Sequence, residues 1–113
     1  MVEVLAGAGK EMLEALVATD ENAGYLGEAA LVEYHSPISM SGLVYYTTLI
    51  DENASCHLAL GRGLNSSPAG HPDLFNDSTI HIDFMIGTPD MKIVGTTEDG
   101  REVEIFRNGD FAL

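Results

Sequence analysis

The stretch Ile80-His81-Ile82-Asp83-Phe84-Met85-Ile86 alternates apolar and polar residues through its first half, at the period of a half-buried β-strand. Residues two apart on a strand share a face, so His81 and Asp83 project together. Ile80, Ile82 and Phe84 then turn to the opposite, buried side. Working outward, Tyr25 to Tyr34, Leu43 to Ile50, Cys56 to Leu60, Met91 to Val94 and Val103 to Phe106 have the same β-branched and aromatic texture. Thr97-Glu98-Asp99-Gly100-Arg101 predicts a hairpin turn on its Asp-Gly pair. Ahead of the strands, Met12, Leu13, Leu16 and Val17 make one apolar face of a short helix over Lys10 to Thr19. That helix starts after Gly7-Ala8-Gly9 and stops at the turn formers Asp20-Glu21-Asn22-Ala23-Gly24. Gly61 to Thr79 is the longest irregular stretch, and loops of that length are often functional. The expected fold is α+β: a mostly antiparallel sheet with one N-terminal amphipathic helix, in a single domain over residues 1–113.

Composition narrows the function. Lys plus Arg number 5 against 18 Asp plus Glu, a formal charge of -13 in 113 residues. Phosphate contacts need clustered basic side chains, so nucleic acid is excluded as a partner, and an anionic membrane surface is disfavoured for the same reason. Hydrophobic residues make up 45%, too many for a disordered acidic tail. Met1 to Leu16 carries Glu3, Lys10, Glu11 and Glu14 among its apolar residues, unlike a secretory leader. No stretch approaches the ~20 apolar residues of a membrane span. The single cysteine, Cys56, rules out an intrachain disulfide and suits reducing cytoplasm, which is the expected location.

Three groups could carry chemistry. His81 and Asp83 on one strand face form a half-site for zinc, cobalt, manganese or iron; the pair equally suits a surface histidine oriented by a carboxylate. An oxygenase facial triad is excluded, because no histidine follows His81. In Asp51-Glu52-Asn53-Ala54-Ser55-Cys56-His57, Glu52 and His57 are five apart. They fall on opposite faces of a strand and about 140° apart on a helix, so they reach one ion only if the backbone turns between them. The alternative is an acidic loop capping a strand or helix. Glu28, heading the apolar run Ala29-Ala30-Leu31-Val32, is either a solvated strand end or a third ligand. His35 and His71 carry no such pattern. Cys56 is expected to be buried, with no base placed to activate it.

Asp20 to Val32 (DENAGYLGEAALV), Ser36-Pro37-Ile38-Ser39, Tyr46 to Gly61 (YTTLIDENASCHLALG), His81 to Gly87 (HIDFMIG) and Ile105 to Gly109 (IFRNG) occur in one order along the chain. This series resembles the metallo-aminopeptidases of the aminopeptidase T, aminopeptidase S and PepS family, from about Val2 to the C-terminus. The resemblance implies a cocatalytic centre of two divalent ions (zinc, cobalt, manganese or magnesium) held by Glu28, Glu52, His57, His81 and Asp83. It implies a metal-activated water acting on peptides to release N-terminal residues, with Glu28 or Glu52 shuttling the proton. Two departures accompany it. Leu64 stands where the family has a tyrosine able to stabilise an oxyanion, with Tyr45 or Tyr46 as conceivable substitutes. A further family glutamate ligand lies upstream of the aligned region, so the chain is expected to be the C-terminal part of such an enzyme. Self-association, as a dimer, is expected from apolar surface that an upstream part would cover. The alternative function is a catalytically inactive, self-associating domain that binds metal weakly or not at all.

Overall fold

The computed structural model describes residues 1–66 and 70–113. In chain order the elements are α1 (Lys10–Val17), β1 (Leu26–Ala30), α2 (Pro37–Ser41), α3 (Thr48–Asp51), β2 (His57–Gly61), β3 (His81–Met85), β4 (Ile93–Thr96), β5 (Glu102–Arg107) and β6 (Asp110–Phe111). The strands form two small antiparallel sheets, ordered β1-β2-β3 and β4-β5-β6. This is the expected sheet-dominated α+β architecture, with two short helices beyond the N-terminal one. Among the described residues no helix is long and apolar enough to cross a membrane. The chain divides into two compact units, Met1–Ala29 with Leu58–Phe84, and Ala30–His57 with Met85–Leu113.

The first unit is built on small residues. Ala59 and Leu60 of β2 are buried together with Ala23 and Ser78. Burying a leucine side chain contributes about 2 kcal/mol, so this core is modest and close fit matters. At Gly27 on β1, a Cβ would collide with the main chain of Gly61 and Arg62, so no larger residue is tolerated there. Gly61 N–H donates to Tyr25 O at 2.8 Å and Arg62 N–H to Ile80 O at 2.7 Å, tying the end of β2 on both sides. Helix α1 half-buries Leu13, Leu16 and Val17, but Met12 is 68% exposed. Met12 lies about 100° round the helix from Leu13, beyond the margin of the stripe centred on the other three. The apolar face of β3 is less covered than its alternation suggests. Ile80 and Ile82 are half-buried and Phe84 is exposed.

Asp20 closes the turn after α1. Its Oδ1 accepts from Asn22 N–H at 3.0 Å, an Asx turn, and its Oδ2 accepts from Thr79 N–H (2.9 Å), Thr79 Oγ1–H (2.8 Å) and Ser78 Oγ–H (3.0 Å). The Thr79 main-chain bond, then the Thr79 hydroxyl, hold this carboxyl down at about 2, outweighing the opposing effect of desolvation.

The second unit buries Cys56, His57 and Phe106. Helix α2 is capped by Ser36, whose Oγ accepts from Ser39 N–H at 3.2 Å, with Pro37 in its first turn. The strand expected over Leu43 to Ile50 is not formed. Instead the Asp51 carboxylate accepts from Tyr45 N–H at 2.8 Å and Thr47 N–H at 3.2 Å, and Thr48 to Asp51 turn into α3. A local side-chain acceptor has captured the amides that a ladder would have used, overriding the β-texture of the run. The β4–β5 hairpin pairs Ile93 with Phe106 and Thr96 with Glu102, across the expected turn. Thr97 N–H donates to Arg101 O, and Gly100 N–H to Thr97 O, both at 2.9 Å. A second hairpin leads into β6 through Asn108 (φ 52°) and Gly109 (φ 81°), the left-handed pair that a tight two-residue turn requires. It lays Phe111 edge-on against the buried Phe106, with ring centroids 4.5 Å apart. Residues 67–69 of the long irregular stretch lie outside the described residues.

Candidate metal centre

The first unit gathers three of the expected ligands. Glu28 is the middle residue of β1, and His81 and Asp83 are the first and third of β3. One ligand atom from each lies within 4.8 Å of the others, an oxygen, a nitrogen and an oxygen. The i, i+2 geometry of the strand places His81 and Asp83 side by side, with Nε2 and Oδ1 3.1 Å apart. Glu28 and Asp83 are half-buried, the latter with 15% of its side chain exposed against 34% for His81.

A main-chain group orients the imidazole. His81 Nδ1 lies 2.7 Å from Arg62 O, and a carbonyl oxygen can only accept, so Nδ1 carries a proton. Nε2 then faces the carboxylates, 3.1 Å from Asp83 Oδ1, and is the ring nitrogen that could bind an ion. Metal-bound histidines are commonly held this way, their second nitrogen donating to a carbonyl or carboxylate. Partial burial alone would lower the affinity of this ring for a second proton. The Arg62 carbonyl and the Asp83 and Glu28 carboxylates outweigh it, and His81 titrates above the ordinary histidine range. Two carboxylate oxygens and one oriented imidazole form a donor set that fits a divalent ion.

The other expected ligands belong to the second unit. Glu52 is half-buried in a 3₁₀ turn, Glu52–Ala54, directly after α3, so the backbone does turn between Glu52 and His57. His57 opens β2 with 2% exposure, its Nδ1 3.0 Å from Ser55 O. Asp51 is committed to the Tyr45 and Thr47 amides. Cys56 is buried as expected, its Sγ 3.2 Å from both the N and the O of Val32. Leu64 is exposed in the first unit; Tyr45 and Tyr46 are exposed in the second, Tyr46 at 93%. His35 is engaged by Asp110, Nδ1 to Oδ2 at 2.5 Å. Sequence reasoning missed the role of Arg62, which acts through its main-chain carbonyl and so has no side-chain signature.

The chain matches the thermophilic metalloprotease (M29) family over residues 1–111. It belongs to that family. The M29 chain is 46% identical to aminopeptidase AmpS of Bacillus subtilis over 122 positions, covering 100% of this chain and 30% of that protein. It is 43% identical to aminopeptidase T of Thermus thermophilus over 115 positions, covering 96% of this chain and 28% of that protein. In three dimensions it is similar to wild-type AmpT from Thermus thermophilus, with a TM-score of 0.84 at 40% identity, over 99% of this chain and 29% of the other. The M29 chain thus spans about 30% of the length of the curated relatives it matches. Membership of a metalloprotease family implies a divalent metal, and the donor set of Glu28, His81 and Asp83 is chemically suited to one.

Proposed function

We propose that this chain is the catalytic C-terminal part of a metal-dependent aminopeptidase that releases N-terminal residues from peptides. The observation that carries this reading is the convergence of Glu28, His81 and Asp83 within 4.8 Å in a chain of a metalloprotease family. A divalent ion bound there supplies Lewis acidity and a water of lowered pKa. Asp83 and Glu28 provide charged oxygen ligands, and Arg62 O fixes the tautomer that presents His81 Nε2. The resemblance adds Glu52 and His57 as ligands in a two-ion centre, for zinc, cobalt, manganese or magnesium. The His57 ring has Nδ1 3.0 Å from Ser55 O, the kind of main-chain contact that commonly orients a metal-bound histidine, which supports that assignment. Glu28 or Glu52 is the proton shuttle to the leaving amine. Leu64 offers no hydrogen bond to an oxyanion, so turnover below that of tyrosine-bearing relatives is expected. The free buried thiol of Cys56 suits a cytoplasmic setting.

The test is hydrolysis of a leucine anilide with added cobalt or zinc. Turnover by the wild type and its loss in His81→Ala support the reading; tight metal binding without turnover contradicts it for this chain. One observation favours the second reading, a self-associating domain without activity. Leu43, Val44, Tyr46 and Leu49 are all exposed along one segment of the second unit. Light scattering that returns a dimer from an inactive protein would support it.

A further inference from the structure

We propose that Asp20 and Asn76 are positioning residues of the Glu28, His81 and Asp83 centre: they brace Asn76–Thr79 against Asp20–Leu26 and so set the spacing between the β1 carboxylate and the β3 ligands. This rests on the metal-centre reading above. The sheet order is β1-β2-β3, so the strands carrying Glu28 and His81 are not hydrogen-bonded neighbours. The ladder couples them only through β2. Three ligand atoms within a few ångströms need a tighter tie than two successive ladders, because tenths of an ångström decide coordination.

The brace supplies that tie at each ligand's own strand entrance. On the β3 side, Thr79 N–H, Thr79 Oγ1–H and Ser78 Oγ–H all donate to Asp20 Oδ2. Ser78 Oγ in turn accepts from Ile80 N–H at 3.3 Å, so the grip reaches the residue directly before His81. Ser78 is fully buried, and its hydroxyl serves this connection. On the β1 side, Asn76 Nδ2 is shared among Asn22 O (3.2 Å), Tyr25 O (3.3 Å) and Leu26 O (3.5 Å), the last of these two residues before Glu28. An amide oxygen there would oppose three carbonyl oxygens, so the amide orientation is determined. Arg62 closes the frame. Gly63 N–H donates to Asn76 O, Arg62 Nη1 pairs with Asp77, and Arg62 O holds the His81 ring. Asp20 and Asn76 touch neither metal nor substrate in this account; they act through the backbone that carries the ligands.

Cobalt titration tests this, because the visible spectrum of bound cobalt reports coordination geometry independently of activity and of global stability. Asp20→Ala and Asn76→Ala are expected to weaken cobalt affinity about 10- to 100-fold, as outer-shell substitutions do, and to alter the spectrum. Asp20→Asn, which keeps an acceptor oxygen, should recover most of the loss. Thr79→Val removes one hydroxyl donor with little change of shape; its expected several-fold loss decides the matter if Asp20→Ala does not fold. Asp110→Ala, which breaks the His35 contact in the other unit, should lower the melting temperature and leave the spectrum unchanged. Wild-type affinity and spectrum in folded Asn76→Ala and Thr79→Val would overturn the brace, as would an equal effect of Asp110→Ala. A wild type that binds no cobalt would instead overturn the metal centre itself.

Discussion

His57 in one unit and His81 in the other share an orienting contact and differ in burial. Each ring directs Nδ1 at a main-chain carbonyl, Ser55 O at 3.0 Å and Arg62 O at 2.7 Å. His57 is 2% exposed in a unit that also buries Phe106 and Cys56. His81 keeps a third of its side chain in solvent, beside two carboxylates and over a core of small residues. In both, a main-chain carbonyl fixes which ring nitrogen carries the proton. The contrast shows that the same residue type can sit in a core in one place and beside carboxylates at a partly open site in the other.

The largest effect should fall on that contrast. His57→Ala is expected to cost about 2 kcal/mol in urea unfolding, as loss of a packed buried side chain does, whereas metal-free His81→Ala, at a third-exposed position, should cost about half as much or less. Equal losses would erase the distinction. Next, Glu28→Gln preserves shape but removes one negative charge facing the ion, so calorimetry should read at least a ~10-fold weaker divalent affinity in a variant that still folds. An unchanged affinity would remove Glu28 from the centre.

A smaller effect is expected in acid. The folded chain holds Asp20 at about 2, below the ordinary value of 3.8, so between those values the unfolded state binds more protons. The stability Asp20 confers is complete above the ordinary range and drains away as pH falls toward 2. Circular dichroism of metal-free wild type and Asp20→Asn should therefore converge as pH drops through that window. Asp110 supplies the milder counterpart in the second unit: the His35 main-chain N–H, then the His35 ring, hold its carboxyl below the usual range. Its Ala variant should show the same direction with the smallest change, since the pair sits in solvent.

The legible parts of the fold were those with local signals. The Ile80 to Ile86 alternation became β3, the Asp99-Gly100 turn became the β4–β5 hairpin, and the H-x-D spacing became a 3.1 Å pair. Leu43 to Ile50 misled because its apolar and β-branched residues report texture, while the deciding group, Asp51, is a side chain just past the run. Asn108-Gly109 carried a strong turn signal, yet the strand after it is two residues long and offers no alternation to read. Glu28 could be joined to His81 and Asp83 only through the family resemblance, because strand order is a tertiary fact. The carbonyls of Arg62 and Ser55 left no trace, since every residue has one.

The proposed function stands on Glu28, His81 and Asp83 holding a divalent ion. Calorimetric titration of the metal-free chain with cobalt, alongside His81→Ala, tests it most directly. Saturable binding of at least one ion per chain is expected, abolished in the variant while its fold persists. Cobalt binding of equal affinity and stoichiometry in both proteins would contradict it.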